Sequence, residues 1–311
     1  MSEREIVCED LGAALDDLRR EGFRVDLIYP ADDPHTAVLT RDEDSVRLTT
    51  RPDAPGPTDR LPPFLPEFVL TRAGSSAARG RAGMLYRDLI PSRLGGRYIA
   101  SHISIPEGGR VSDWVHFHRI ALQLLYVRRG WVRVVYQDQG EPFVMNEGDL
   151  VLQPPGIRHQ VLESSAGFEI VEISAPAVHA TYADHRVELP NGSSPGGIFG
   201  GQRFLRHVAA DTAWTPANGG EAQETEVEVA TSGLAEVGTL RPRNGEALAF
   251  GGHGGELVFG FVLDGSAMLD YRGMHEVGPA DAFVIPPGHA WRLTHPSPDF
   301  RLLHMTTAKL G

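Results

Sequence analysis

The fold of this chain is decided by two stretches, WVHFHRIALQLLYVRRG at residues 114–130 and GDLVLQPPGIRH at residues 148–159. His116 and His118 lie two residues apart, so on a β-strand their side chains point to the same face. The second stretch places a further histidine shortly after a Pro-Pro-Gly turn. Three imidazoles and one amide oxygen that converge inside a β-barrel form a ligand set for a first-row transition metal. The predicted metal ligands are His116, His118, Gln123 and His159.

These spacings resemble the two sequence motifs of the cupin superfamily, which implies a double-stranded β-helix barrel of the jelly-roll type. Gln123 takes the place of the usual glutamate, and Glu163 stands where the second motif usually has asparagine. Because glutamine is neutral, a bound divalent ion would keep more positive charge, which favours polarisation of a substrate oxygen. The presence of glutamine instead of glutamate also argues against a carboxylate base supplied by the site. The positions that match the motifs are His116, His118, Gln123, Gly130, Gly148, Pro154, Gly156 and His159.

The C-terminal part of the chain repeats the first pattern weakly, so the protein looks like a bicupin. The stretch GELVFGFVLDGSAMLDY aligns with ALQLLYVRRGWVRVVYQ and places Gly265 on Gly130. One histidine and an indole do not hold a metal, so we expect the second barrel to be metal-free and structural. We also expect Trp291 to fill the space of the metal site. In this copy the ligand positions hold Gly251, His253, Val258 and Trp291.

The predicted fold class is all-β, with two cupin barrels and a small N-terminal α+β extension. Residues 1–52 form the extension, because LGAALDDLRR has apolar residues at helical spacing and short strands follow it. Five prolines in residues 53–66 predict an extended linker. Residues 67–190 are predicted to form the metal-binding barrel, and residues 191–311 the second, degenerate barrel. The extension is interpreted as a packing or dimerisation arm.

Composition limits the classes of function. The 311 residues suffice for two domains, and the net charge of −12 argues against nucleic acid or an anionic membrane surface as a partner. No apolar run approaches the ~20 residues needed to span a bilayer, and the charged N-terminus lacks an apolar signal core. The single cysteine, Cys8, excludes an intramolecular disulfide. We expect a cytoplasmic protein, and the resemblance to cupins implies a homodimer.

The candidate substrate pocket surrounds the predicted ligands. On the neighbouring strand RYIASHISI the register is open, and either Tyr98 and His102 or Ile99 and Ser101 face the cavity. The apolar character of the motif strands argues against a phosphorylated sugar as substrate. The candidate pocket residues are Trp114, Leu125, Val127, Tyr98, His102 and Arg158. The remaining histidines show no ligand spacing and are interpreted as surface or structural residues; they are His35, His179, His185, His207, His275, His289, His295 and His304.

Three functions are compatible with this pattern. The leading hypothesis is an Fe(II) dioxygenase that acts on a small aromatic or enolisable substrate, because a three-histidine shell leaves positions open for O2 and for a bidentate substrate. This hypothesis follows the resemblance to the quercetinase and gentisate dioxygenase groups, with Gln123 as a weak fourth ligand or as an orienting residue. The alternative is a non-redox isomerase, cyclase or lyase that uses Zn, Ni or Mn as a Lewis acid. The third is a non-catalytic ligand-binding cupin.

Overall fold

The N-terminal extension is a small α+β unit in the computed structural model, which describes residues 3–58, 60–79 and 84–310. Its elements are β1 (Glu3–Val7), α1 (Leu11–Arg20), β2 (Arg24–Tyr29), β3 (Thr36–Arg41) and β4 (Asp44–Thr49). Helix α1 has the predicted bounds, because Asp10 caps it by accepting a hydrogen bond from the Ala13 amide. Leu11, Leu15 and Leu18 form its buried face and pack against the sheet.

The first barrel consists of two facing sheets. The strands of this region are β5 (Val69–Thr71), β6 (Ala78–Arg79), β7 (Leu85–Asp88), β8 (Ile99–Ile105), β9 (Gly109–Arg110), β10 (His116–His118), β11 (Leu122–Arg129), β12 (Trp131–Tyr136), β13 (Phe143–Asn146), β14 (Leu150–Leu152), β15 (His159–Ser164), β16 (Phe168–Ala175) and β17 (Thr181–Ala183). One sheet runs in the order β17-β10-β15-β12-β13, and the other contains β14-β11-β16-β8-β7-β6. The predicted ligands therefore lie on both sheets, with Gln123 on β11 opposite the histidines.

The extension continues the first of these sheets. Strand β17 pairs with β10 on one side and with β2 on the other, where Thr181 lies opposite Ile28. The order β1-β4-β3-β2-β17-β10 is therefore one uninterrupted run of strands. This pairing brings the loop that follows β2 to the barrel that carries the histidine pair.

The second barrel repeats the architecture of the first. The remaining elements are β18 (Ile198–Phe199), β19 (Gln202–Arg203), β20 (Leu205–His207), a 3-10 turn (Ala209–Asp211), β21 (Thr215–Ala217), β22 (Gly220–Glu224), α2 (Val227–Ala230), β23 (Ala235–Pro242), β24 (Leu248–Phe250), β25 (Val258–Asp264), β26 (Ala267–Asp270), β27 (Met274–Val277), β28 (Ala282–Val284), β29 (Trp291–Thr294) and β30 (Arg301–Thr307). Its sheets contain β22-β23-β30-β25-β28 and β24-β29-β26-β27.

Two matching turns show how closely the barrels correspond. Gly130 and Gly265 both have positive φ and follow the central strands β11 and β25. A Cβ at either glycine would collide with a serine hydroxyl, Ser165 in the first barrel and Ser297 in the second. Each of these hydroxyls accepts a hydrogen bond from the amide that follows the glycine. The sequence alignment of the two glycines is thus confirmed in the structure.

The barrels share a core and exchange strands. On β11 one face, which includes Leu124, points toward the second barrel, where Phe259 of β25 belongs to the same buried cluster. Strand β5 pairs with β28 of the second barrel, and β20 pairs with β14 of the first. The boundaries predicted from the sequence stay a prediction, but these two strands pair across the division between residues 190 and 191. Within the described part of the chain no helix is long and apolar enough to span a bilayer.

Candidate metal centre

Three buried histidines meet at one end of the first barrel. His116 and His118 lie on β10 with their rings on the same side, and His159 is the first residue of β15, directly opposite His116. One ring nitrogen from each of the three lies within 4.8 Å of the others. The period of two along a strand and one cross-strand pair therefore assemble the three imidazoles predicted from the sequence.

Backbone carbonyls orient all three rings. Nδ1 of His116, His118 and His159 lies 2.7, 3.1 and 3.0 Å from the carbonyl oxygens of Trp114, Ala180 and Ile157, respectively. A carbonyl oxygen can only accept a hydrogen bond, so each Nδ1 carries a proton and Nε2 is the ring nitrogen left to bind a metal. Such carbonyl partners are the usual support of metal-binding histidines. The residues present thus fit one divalent transition-metal ion.

Gln123 lies beside the histidines as the centre of a hydrogen-bond chain. The Tyr136 hydroxyl donates to Gln153 Oε1 at 3.0 Å, Gln153 Nε2 donates to Gln123 Oε1 at 2.6 Å, and Gln123 Nε2 donates to Glu172 Oε1 at 2.6 Å. The phenol at one end and the carboxylate at the other fix the orientation of both amides. Gln123 Oε1 already accepts a hydrogen bond from Gln153. Direct ligation of a metal by this oxygen stays a prediction.

Glu172 is a carboxylate at the cavity that the sequence analysis missed, although Gln123 argued against a carboxylate base at the site. It lies on β16 and faces the cavity, and Ser174 Oγ also donates to its Oε1 at 3.3 Å. Its second oxygen, Oε2, has no hydrogen-bond partner among the described residues. Tyr136 lies at the other end of this hydrogen-bond chain. Burial, followed by the charge of Glu172, raises the pKa of Tyr136, which keeps its phenol neutral.

The cavity is small and mostly apolar. Its volume is about 100 Å³, and no lysine or arginine lines it within the part of the chain that the structure describes. This size suits a substrate of a few non-hydrogen atoms rather than a large polycyclic one. The apolar wall includes Met84, Ile99, Ile103, Ile105, Leu125, Val132, Val134, Met145, Val151, Val161, Phe168 and Ile170.

The N-terminal extension supplies part of the wall. Ala31 and Asp32, in the loop after β2, line the same cavity as the histidines. Asp32 Oδ2 accepts a hydrogen bond from Arg93 Nη2 at 2.7 Å. Asp32 Oδ1 is buried without a partner among the described residues. A buried carboxylate oxygen without a donor is costly, so this atom is a candidate contact for a substrate hydroxyl or amine.

A fourth histidine lies at the site, one that the sequence analysis interprets as a surface or structural residue. His179 is buried and lines the cavity, and its ring centroid is 5.2 Å from that of His118. Its Nδ1 lies 3.1 Å from the Pro176 carbonyl, which gives it the same tautomer as the three clustered histidines. No spacing rule could find it, because it lies on the loop before β17.

The register of β8 settles the alternative left open by the sequence. Ile99 and Ser101 line the cavity, whereas Tyr98 and His102 face away from it. Tyr98 donates to Glu256 Oε2 and is buried between the barrels. His102 bonds Glu169 and packs against Phe261 of the second barrel. The candidate pocket roles of Tyr98 and His102 are therefore not supported.

The other candidate pocket residues divide in the same way. Leu125 lines the cavity, and Val127 is fully buried in the first barrel's core without lining it. Trp114 packs its ring 5.3 Å from that of His116 and lies against the core of the extension. Arg158 lies 4.3 Å above the Phe117 ring and bonds Asp184 at 2.9 Å. Neither Trp114 nor Arg158 lines the cavity.

Comparisons with known proteins identify the architecture. No family model and no curated protein matches the chain. A mutant oxalate decarboxylase from Bacillus subtilis superposes with a TM-score of 0.58 at 12% identity, over 84% of this chain and 80% of that chain. A putative glyoxylate-induced protein from Pseudomonas aeruginosa gives a TM-score of 0.57 at 14% identity, over 83% and 94%. A formate complex of Lactobacillus farciminis oxalate decarboxylase gives 0.57 at 11%, over 82% and 88%. The chain has the bicupin fold. The predicted fold class is therefore confirmed, and identities this low show the fold alone.

The second barrel of this bicupin differs at the ligand positions. Among the described residues, the three histidines of the first barrel are the one group of His, Cys, Asp or Glu side chains close enough to share an ion. His116 and His159 form a cross-strand pair in the first barrel, and the corresponding pair in the second barrel is Phe250 and Trp291. The residue opposite Trp291 is therefore Phe250 and not the next residue, Gly251, which the sequence alignment placed there. Their rings stack at 3.9 Å and 5°. Trp291 is buried as predicted, but it does not fill the barrel, because a cavity of about 440 Å³ remains beside it.

Proposed function

We propose that the first barrel is a mononuclear metal enzyme, in which His116, His118 and His159 would hold one divalent transition-metal ion. The observation that carries this proposal is the set of three buried imidazoles with carbonyl-fixed tautomers, one nitrogen from each lying within 4.8 Å of the others at a small cavity. A bound ion of this kind supplies Lewis-acid polarisation of a substrate oxygen. The metal is Fe(II), Mn, Ni or Zn, and the donor set alone does not choose among them.

Within this proposal Glu172 transfers the proton. Gln123 and Ser174 donate to Oε1 and hold the carboxylate in place, so Oε2 is the oxygen directed to exchange a proton with substrate. The apolar walls exclude bulk water from the transfer. This arrangement favours a non-redox isomerase, cyclase or lyase.

The proposed substrate is a small carbonyl compound that can form an enol and carries a hydrogen-bond donor. The cavity volume of about 100 Å³ limits its size, and the unpartnered Asp32 Oδ1 calls for a hydroxyl or amine. Glu172 and Asp32 both line a cavity without lysine or arginine among its described residues, which disfavours a dianion such as oxalate. The oxalate decarboxylases are therefore similar in fold, and their substrate is not transferred to this chain.

The second candidate is the Fe(II) dioxygenase favoured by the sequence. The observation for it is the combination of three buried imidazoles with an apolar wall, a setting that suits O2 and an enolisable substrate. The finer resemblance to quercetinase and gentisate dioxygenase has less support, because a cavity of about 100 Å³ is small for a flavonol.

Anaerobic proton exchange tests the proposal against this candidate. Protein reconstituted separately with Fe(II), Mn, Ni and Zn is incubated with hydroxyacetone in D2O, and deuterium incorporation above the rate without protein is followed by NMR. We expect metal-dependent exchange that Glu172→Gln abolishes and Glu163→Gln, at the barrel surface, does not. Absence of anaerobic exchange, together with O2 uptake by the iron form alone in a parallel incubation in air, would replace the proposal by the dioxygenase. Metal binding without turnover in either assay would favour a ligand-binding protein.

A further inference from the structure

The second barrel contains the larger of the two barrel cavities. Its volume is about 440 Å³, against about 100 Å³ in the first barrel. The floor is apolar and aromatic, with Leu240, Val258, Phe250 and Trp291 among its residues. A cavity of this size in a barrel that lacks the histidine cluster falls in the range of small-molecule sites. Its chemistry therefore has to be inferred from its own side chains.

The aromatic pair replaces the metal ligands with a stacking surface. Phe250 on β24 and Trp291 on β29 lie directly opposite each other, and Phe283 meets the edge of the Trp291 ring at 5.3 Å. The stack is fixed on three strands, so its geometry is set before any ligand binds. Aromatic faces attract cations and flat apolar groups.

His304 occupies the position that corresponds to Glu172. Glu172 lies opposite Leu125 in the first barrel, and His304 lies opposite Gly260, the residue aligned with Leu125, in the second. Burial, followed by the charge of His253, lowers the pKa of His304 to about 4, so the ring is neutral at pH 7. Its Nε2 is buried without a partner among the described residues. The ring thus has hydrogen-bonding capacity that the chain does not satisfy.

Three exposed glutamates line this cavity, together with the imidazole of His253. Glu224, Glu228 and Glu236 line it, and none of them forms an ion pair among the described residues. No lysine or arginine of the described chain lines it; Lys309 lines an adjoining depression that shares Glu236. An anionic ligand would meet three unneutralised carboxylates, whereas a cation would be attracted by them and by the aromatic stack.

We propose that the second barrel binds a small organic cation, an amine with an aromatic or compact apolar body. The body packs against Phe250 and Trp291, the ammonium group faces the three glutamates, and His304 provides a hydrogen bond within the cavity. This site is separate from the histidine cluster and does not rest on the function proposed for the first barrel. The protein would accordingly hold two different ligands, one in each barrel.

Isothermal titration calorimetry of the full chain tests this site with phenethylammonium and phenylacetate, which match in body and differ in charge. We expect the amine to bind more tightly by at least about tenfold. Raising the ionic strength should weaken this binding. Glu228→Gln and Glu236→Gln should each weaken it by about threefold, and Phe250→Leu should weaken it by about the same factor while keeping the floor apolar.

Two controls assign any binding to the second barrel. Glu141→Gln, an exposed glutamate at the first barrel, should leave amine affinity unchanged, and so should His118→Ala in the histidine cluster. Equal affinity for amine and acid, or no heat with millimolar amine, would overturn the proposal. Loss of amine binding in His118→Ala but not in the glutamate variants would also overturn it, because the ligand would then lie in the first barrel.

Discussion

Glu172 and Asp32 approach the first cavity from different parts of the chain, one from strand β16 and the other from the loop after β2. Each has one oxygen engaged by the protein and one without a hydrogen-bond partner among the described residues. Two acidic groups in different environments can take different roles, because the environment decides which one moves a proton. We assign proton transfer to Glu172 and substrate recognition to Asp32.

Replacing Glu172 with glutamine should remove the proton transfer while keeping the shape of the cavity. We expect kcat to fall by about 10²- to 10⁴-fold, with the metal content unchanged, because the three histidines keep their carbonyl partners. Steady-state kinetics and elemental analysis of the same preparation check both expectations. A variant that kept its full kcat would rule out Glu172 as the acid or base.

Replacing Asp32 with asparagine should act on binding instead. We expect KM for hydroxyacetone to rise about tenfold with a smaller change in kcat. The rise in KM corresponds to the loss of one hydrogen bond to a charged oxygen. Asp33→Asn is the matched control, because Asp33 is the adjacent carboxylate and pairs with Arg51 at the surface. An equal KM in the Asp32 variant and its control would show that Asp32 does not contact substrate.

Single residues also show where sequence reasoning succeeds and stops. The histidine triplet and Gln123 were predictable, because each lies at a fixed spacing within one strand or turn. Glu172 and the register of β8 were not, because which face of a strand is inward depends on its pairing with strands distant in sequence. Asp32 was missed for the same reason, since its approach depends on the pairing of β2 with β17.

At the scale of elements, strands β7, β8, β11 and β16 carry a charged cluster between the barrels. Glu169 bonds His102 at 2.9 Å and also pairs with Arg128, while Arg87 contacts His102 at 3.3 Å. The hydrogen bond from His102, followed by the charge of Arg128, lowers the pKa of Glu169 from 4.5 to about 2 against the opposing effect of burial. Ionised Glu169 therefore stabilises the packing of the barrels.

The pH dependence of stability follows from this cluster. Since the folded pKa of Glu169 lies below its unfolded value, the stabilisation is fully present above the unfolded value and is lost as the pH falls toward 2. Glu169→Gln should lower the free energy of unfolding by about 2 kcal/mol at pH 7. Urea unfolding across the pH range should show the gap from wild type narrowing below about pH 5. A gap that stays constant down to pH 3 would contradict this account.

The elements predicted from the sequence and those found in the structure agree where the signal is local. Helix α1 was predictable from its apolar spacing, and the paired barrels from the glycine and proline positions. The exchange of β5 and β20 between the barrels was not predictable, because strands of only three residues carry no signal of their partners. Nor could an alignment show that Phe250, rather than Gly251, opposes Trp291.

At the scale of the whole molecule, the two barrels keep one architecture and differ in what they present to their cavities. The first has three histidines and Glu172, and the second has an aromatic stack and His304 at matching strand positions. Fold alone therefore decides neither function, because the chemistry lies in the side chains that the barrel presents.

The homodimer implied by the resemblance to cupins stays a prediction. Light scattering should give a mass twice the 33.9 kDa of the chain, independent of concentration in the micromolar range. A mass of one chain at every concentration would show that the extension packs only within its own molecule, as it does through the pairing of β2 with β17.

The measurement that tests the central claim most directly is the amount of metal per chain after reconstitution and removal of excess ion. The account predicts about one equivalent in the wild type, loss of that metal in His118→Ala, and no change in His253→Ala, the aligned position of the second barrel. Two equivalents in the wild type, or retention of metal by His118→Ala together with its loss from His253→Ala, would contradict it. No bound metal with any of the four ions would remove the basis for metal-dependent catalysis in this protein.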